Sequence, residues 1–148
     1  MTLAERTLRA LDLPGAQVVV LARAGQDLSK YGLRYSHLGL AYQQGDGKGG
    51  HVWRVLHKLN HCGTAESAIY RQGLGEFFLD DLWQFEAAWA VPTPTVQAKL
   101  LTLLQDDPRA LQLHHKPYNM VAYPWALKYQ QSNQWAIETL AIAVAPEL

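Results

Sequence analysis

The sequence contains a single cysteine, Cys62, among its 148 residues. A disulfide bond within the chain is therefore impossible, and a zinc site built from several cysteines lacks its ligands. No stretch reaches the roughly 20 apolar residues that a membrane-spanning helix requires. Residues 1–15 are charged and lack the apolar segment of a secretory signal peptide. We therefore expect a soluble protein with no membrane span.

An excess of charge of either sign is also missing, because thirteen basic residues balance thirteen acidic ones. Without a basic stripe we expect no nucleic-acid partner. Apolar residues make up 49% of the chain, which is enough to build a core and argues against disorder. The length suits one domain, and we assign residues 1–148 to it.

The order of the predicted elements indicates an α+β domain in which helices pack on a small antiparallel sheet. Apolar residues at helical spacing predict three helices, at residues 2–12, 93–107 and 132–145. Apolar runs ended by turn residues predict strands at 16–23 and 83–91, and a hairpin within 31–60. The segment 61–81 is predicted to be irregular, with one short helix at 65–71.

The hairpin has a glycine-rich turn, "GDGKG", and one histidine in each strand. Glycine and aspartate supply the positive-φ conformations that hairpin turns need. If the turn is symmetric about Gly47, His37 pairs directly with His57. Directly opposed side chains share a face of the sheet, with Cβ atoms about 4.5–5.5 Å apart. The sequence therefore predicts two adjacent imidazoles, provided that no bulge shifts the register.

Adjacent imidazoles can act as a general base and as the group that orients it. Two other interpretations stay open on spacing alone. The histidines can be ordinary sheet residues that hydrogen-bond to backbone or water. They can also bind a metal with His51, which has the same strand parity, as the third ligand.

Two residues are candidates for a nucleophile that such a pair would activate. Cys62 follows the second strand in "NHCGT", and Ser132 opens the last helix in "YQQSNQW". A helix N-terminus stabilises a developing anion through its free N–H groups and its dipole. Each residue also has an ordinary structural interpretation, with Ser132 as a helix cap and Cys62 as a small buried apolar residue.

Three long motifs, "GQDLSKYGLRYSHLGLAY", "HKLNHCGTAESAIYRQGLGEFFLDDL" and "YNMVAYPWALKYQQSNQW", resemble a bacterial family of the domain-of-unknown-function type. The resemblance covers nearly the whole chain. Members of that family usually carry an export leader and often a C-terminal extension, which implies a periplasmic or cell-envelope location. Neither feature is visible in this sequence.

A more distant similarity bears on the chemistry. "SHLGLAY", followed by a strand that ends in "VLH", is similar to the histidine hairpin of NlpC-type papain-like cysteine peptidases. That resemblance implies a permuted papain-like core in which His37 is the general base and His57 orients it. In the circularly permuted branch, which includes lecithin:retinol acyltransferase-like enzymes, the nucleophile begins a late helix. The matching residue here is Ser132.

Serine at this position departs from the cysteine of that superfamily, and a hydroxyl depends wholly on its base. The chain is therefore a serine variant, a lineage without the chemistry or a disabled mutant. The first hypothesis is an amide or ester hydrolase or acyltransferase, without a cofactor, that acts on a small-molecule, peptide or lipid-linked substrate. The second is an inactive module that keeps the cleft for a peptide, glycan or lipid. The polar residues assigned to that cleft are Tyr35, Ser36, Asn119, Asn133 and Gln134.

Overall fold

The computed structural model describes residues 1–12, 15–60, 67–79, 82–106 and 132–144, and only the backbone of Tyr31, Asn60 and Ser132. Five antiparallel strands form one sheet: β1 (Val18–Arg23), β2 (His37–Gly45), β3 (His51–Asn60), β4 (Ser67–Gly73) and β5 (Ala87–Ala90). Their order across the sheet is β4-β3-β2-β1-β5. The predicted α+β class with an antiparallel sheet is confirmed.

Within the described residues, four α-helices accompany the sheet: α1 (Leu3–Asp12), α2 (Leu74–Phe77), α3 (Pro94–Gln105) and α4 (Ser132–Val144). Helix α1 begins with a reciprocal cap, because Thr2 Oγ1 accepts from Glu5 N and Glu5 Oε2 accepts from Thr2 N, each at 3.2 Å. Helix α3 is capped by Thr93 and has Pro94 in its first turn. Within the described ranges, no helix is long and apolar enough to cross a membrane.

The sheet separates two apolar clusters, and each face takes its name here from a helix that covers it. The α4 face packs against α3 and α4, with a core that includes Val18, Leu40, Tyr42, Leu56, Leu100, Leu104 and Trp135. The α2 face packs against α1 and α2, with a core that includes Leu11, Leu21, Ala41, Trp53, Val55, Leu74 and Phe77. Alternate residues of β2 and β3 therefore enter different environments.

The hairpin register differs from the prediction. Gly45 pairs with His51 and Leu40 with Leu56, so the loop is centred on Lys48 rather than on Gly47. Asp46 sets this loop, since its Oδ1 accepts from Lys48 N at 2.7 Å and from Gly50 N at 3.1 Å. Each β2 residue therefore pairs with a β3 residue two positions later in the chain than predicted. This preserves strand parity, and His37 and His57 stay on one face.

The predicted helix at 65–71 is wrong, because residues 67–73 form strand β4 and pair with β3 along their whole length. Tertiary pairing here overrides a local sequence of mixed character. In α1, Leu8 is 38% exposed whereas Thr7 is buried. In α4, Trp135 is buried, whereas Ile137 and Val144 are exposed.

Gly39 of β2 lies at a crowded point on the α2 face. A Cβ atom added there would lie 2.6 Å from Val55 Cγ1, 3.3 Å from His57 Cβ and 3.3 Å from Phe77 Cε2. Its backbone is extended, so glycine is needed here for space rather than for a positive φ. The missing side chain lets β2, β3 and α2 close on one another.

We expect Gly39→Ala to lower the free energy of unfolding by about 1–3 kcal/mol, the usual cost of overpacking a core. Gly45→Ala, also in β2, is the matched control because nothing lies within 4 Å of its added Cβ. Urea unfolding monitored by circular dichroism measures both. Adding Val55→Ala to Gly39→Ala should recover part of the loss. Equal stability of Gly39→Ala and Gly45→Ala would contradict the packing argument.

Candidate functional site

His37 and His57 meet on the α2 face, as the sequence predicted. His37 Nε2 lies 2.8 Å from His57 Nδ1, and the two rings are 5.1 Å apart at an interplanar angle of 70°. The contact is diagonal across Gly39 rather than directly opposed, a geometry that long and aromatic side chains can span. His37 is 8% exposed and His57 is fully buried. The two rings therefore interact largely out of contact with water.

Gln72 of β4 extends this pair into a chain of three groups. Its Oε1 lies 2.7 Å from His57 Nε2. A carbonyl oxygen only accepts, so His57 carries its hydrogen on Nε2 and presents the lone pair of Nδ1. His37 must then donate from Nε2, which makes its Nδ1 the basic nitrogen. The hydrogen bonds thus assign one tautomer to each ring.

An aromatic and cationic wall encloses the pair. Phe77 of α2 stacks on His37 at 5.9 Å and meets His57 edge-on at 5.0 Å. The buried Arg23 guanidinium lies 5.0 Å from the Phe77 ring and donates to the Phe77 carbonyl oxygen. Burial holds the pKa of His37 well below 6.5, and the Arg23 guanidinium and the neighbouring His57 imidazole lower this pKa further. His37 is therefore neutral near pH 7.

Helix α4 is fastened to the backbone on both sides of His37. Asn133 Oδ1 accepts from Leu38 N at 2.8 Å, and Asn133 Nδ2 donates to Ser36 O at 3.0 Å. Ser36 Oγ accepts from Gly25 N at 2.9 Å and so ties the start of β2 to the end of β1. Ser132 directly precedes Asn133. The first residue of α4 is thus held at the end of the sheet where His37 lies.

Tyr35, Gln134 and Asn119 were also predicted to line the site. Tyr35 is half-buried in the segment that leads into β2, and Gln134 donates along α4 to Glu138 Oε1 at 2.8 Å. Asn119 and the alternative nucleophile Cys62 lie outside the described residues, as does the side chain of Ser132. Their assignment to the site stays a prediction. Asn133 and Ser36 position the backbone around His37.

His51, proposed as a third metal ligand, does not join the pair. Its Nε2 lies 2.9 Å from Asp12 Oδ1, which also accepts from Trp53 Nε1 at 2.8 Å. Six residues of extended strand put roughly 20 Å between His51 and His57. In the part of the chain that the structure describes, no three His, Cys, Asp or Glu side chains are grouped to hold a metal ion.

Sequence reasoning missed Gln72, Arg23 and Phe77. Gln72 was missed because the segment 61–81 was predicted to be irregular, and "SAIYRQG" has no alternation of apolar and polar residues that would reveal the strand beside β3. Arg23 ends β1 directly opposite His37, so correct β1–β2 pairing would have found it. The position of Phe77 depends on the helix–sheet contact, for which the sequence has no local signal.

Lys58 is adjacent to His57 in the chain but points to the α4 face. It is fully buried, and burial lowers its pKa to about 8, against the opposing effect of Glu138 of α4. Glu138 is one helical turn from Gln134. Strand β3 therefore contributes an imidazole to one face and an amine to the other at consecutive positions.

Residues 10–148 match the model of a family described as an uncharacterised protein conserved in bacteria, DUF2145. The chain belongs to the DUF2145 family. The resemblance to a bacterial family of unknown function is thereby confirmed. No curated protein and no solved structure matches the chain. The match includes the histidine pair, Gln72 and Asn133, so the site of this DUF2145 protein lies wholly within the family region.

The burial of His37 predicts how stability depends on pH. Its folded pKa is below 6.5, so the unfolded chain binds more protons at acidic pH and stability falls as pH drops below 6.5. Replacing His37 with Gln, which can still donate to His57, should reduce this slope by at most about 1.4 kcal/mol per pH unit. Urea unfolding at several pH values measures the slope. An unchanged slope would show that His37 keeps an ordinary pKa.

The Gln72 contact predicts the tautomers. We expect long-range ¹H–¹⁵N spectra near pH 7 to show both His37 and His57 protonated at Nε2. Gln72→Leu removes the acceptor and should lower the population of the Nε2-protonated form of His57. Gln44→Leu, at the exposed end of β2, should leave both rings unchanged. His57 protonated at Nδ1 in the unaltered protein would rule out the assigned direction of the hydrogen bonds.

Proposed function

We propose that the protein is an amide or ester hydrolase or acyltransferase with a permuted papain-like core. Ser132 Oγ attacks the carbonyl carbon of the substrate and its proton passes to His37 Nδ1. His57 orients His37, and the proton on His37 is then given to the leaving group. The N–H of Ser132 at the start of α4 helps to hold the oxyanion.

The observation that carries this proposal is the directed chain from Gln72 through His57 to His37. Each hydrogen bond in it determines the tautomer of the next ring, so the basic nitrogen of His37 has one defined position. The arrangement matches the roles of base and orienter, with Gln72 as a third, neutral member.

The attachment of α4 supports Ser132 as the nucleophile. Asn133 bonds to backbone groups on both sides of His37, and Ser132 is its neighbour in the chain. Since the N-terminus of a helix carries the positive end of its dipole, an anion forming at Ser132 is stabilised there. The backbone that carries His37 is thus hydrogen-bonded to the first turn of α4, while the His37 ring lies on the α2 face and α4 packs on the other face of the sheet.

One observation favours a second function, an inactive binding module. Arg23 places a positive charge close to His37, and a neutral orienter stabilises an imidazolium less than a carboxylate does. Both effects weaken His37 as a base for a serine hydroxyl. In such a module the same cleft holds a peptide, glycan or lipid ligand without turnover. A periplasmic or cell-envelope location belongs to either version of the proposal.

A fluorophosphonate probe tests the first function, because it forms a bond between Ser132 Oγ and phosphorus with loss of fluoride. We expect labelling of the unaltered protein and none of Ser132→Ala, measured by intact-protein mass spectrometry. His37→Gln should slow labelling by about a hundredfold or more, the usual contribution of a general base. The rate should stay constant from pH 8 down to 6.5, since His37 is neutral throughout that range.

Ser29→Ala is the control, because Ser29 is exposed in the 3₁₀ turn at Ser29–Tyr31. Its labelling should equal that of the unaltered protein. The enzyme would be ruled out if the folded protein is not labelled at any pH. The binding module would then be the better proposal if Ser132→Ala and His37→Gln bind the ligand as tightly as the unaltered protein does.

A further inference from the structure

The loop of residues 25–36 closes on itself immediately before His37. Ser36 Oγ accepts from Gly25 N at 2.9 Å and from Gln26 N at 3.1 Å, so the two ends of the loop meet. Within it, Leu33 N donates to Leu28 O at 3.2 Å, and Gly32 has a φ of 69°. Compact loops whose ends meet in this way are frequently functional. This loop contains most of the "GQDLSKYGLRYSH" motif, which the proposed chemistry leaves unused.

A second segment, residues 82–86, lies against this loop. Trp83 N and Gln84 N both donate to Ala24 O, at 3.0 and 3.3 Å, which anchors the segment to the end of β1. Arg34 of the loop lies 3.4 Å from Glu86. Between the loop and the segment is a cleft of about 330 Å³. The walls are joined by the two hydrogen bonds to Ala24 O at one end and by the Arg34–Glu86 ion pair at the other.

The lining of this cleft is amphipathic. Trp83, 53% exposed, and Leu33, 56% exposed, supply apolar surface. The polar contributors are Asp27, Ser29, Arg34, Gln84 and Glu86. A large apolar residue on the surface of a cleft favours a ligand with an apolar face, and the polar groups favour a ligand with several hydroxyls.

The charges in the cleft argue for a neutral ligand. Glu86 is engaged by Arg34, and Asp27 Oδ1 accepts from Ser29 N at 3.0 Å. Both carboxylates are thus already engaged in contacts within the cleft. Gln84 adds an amide that both donates and accepts. An anion would meet two carboxylates, and a cation would compete with Arg34 and with Ser29 N for them.

We propose that this cleft binds a neutral sugar ring, with its apolar face stacked on Trp83 and its hydroxyls bonded to Gln84 and to the Arg34–Glu86 pair. The cleft lies beyond the ends of β1 and β2, where Arg23 pairs with His37. Its use as a subsite for a glycan-linked substrate rests on the proposed function. Sugar binding itself does not.

Titration with N,N′-diacetylchitobiose and with methyl β-D-glucopyranoside tests the cleft, followed through the indole N–H signals in ¹H–¹⁵N spectra. We expect a saturable shift of the Trp83 signal in the millimolar range, assigned with Trp83→Phe. Trp83→Ala should abolish binding, and Gln84→Ala should weaken it about tenfold, the equivalent of one good hydrogen bond. Trp89→Ala is the matched control, since Trp89 is exposed on β5 and does not line this cleft.

The absence of a saturable shift with both saccharides in folded protein would overturn the proposal. Saturable binding of tetramethylammonium or of a proline-rich peptide at Trp83, with no saccharide binding, would also overturn it and reassign the cleft. Binding that survives Trp83→Ala would refute the assigned position. Saccharide binding without fluorophosphonate labelling would contradict the proposed enzyme but support the sugar site. Labelling without saccharide binding would support the enzyme and contradict the sugar site.

Discussion

The site depends on the close approach that the missing side chain of Gly39 permits. Val55, His57 and Phe77 all lie within contact distance of where a Cβ would be. Because this point is empty, His37 can reach diagonally across it to His57, and α2 can seat Phe77 against both rings. The hydrogen bonds and the electrostatics of the site therefore depend on the absence of a side chain at Gly39. A larger residue at position 39 would separate the groups that the proposed chemistry combines.

The surroundings of the histidine pair have two opposing effects on the ability of His37 to act as a base. Burial and the charge of Arg23 keep His37 neutral, which suits a group that must accept a proton. The same surroundings raise the cost of the imidazolium that forms when it does. Gln72 and His57 offset this cost only partly, since both are neutral partners. The balance between these effects separates an enzyme from a binding module that keeps the same geometry.

Much of this arrangement could be predicted from the sequence, and the reasons for the misses are physical. Strand parity placed His37 and His57 on one face even though the loop centre was wrong, because an error of two residues preserves the face. Helices α1, α3 and α4 carried clear apolar spacing. Gln72 was missed because its strand is specified by pairing with β3 rather than by local propensity. Phe77 and Arg23 reach the site only through tertiary packing.

The contact between Asn133 and Ser36 joins residues 97 positions apart. During synthesis, β1 to β3 are made well before α4, so the sheet can pair while the backbone around His37 still lacks its clamp. Closing such a distant contact carries a loop entropy that local contacts do not. We therefore expect the hydrogen bonds of Asn133 to the backbone around His37 to form later in folding than the pairing of β1 to β3.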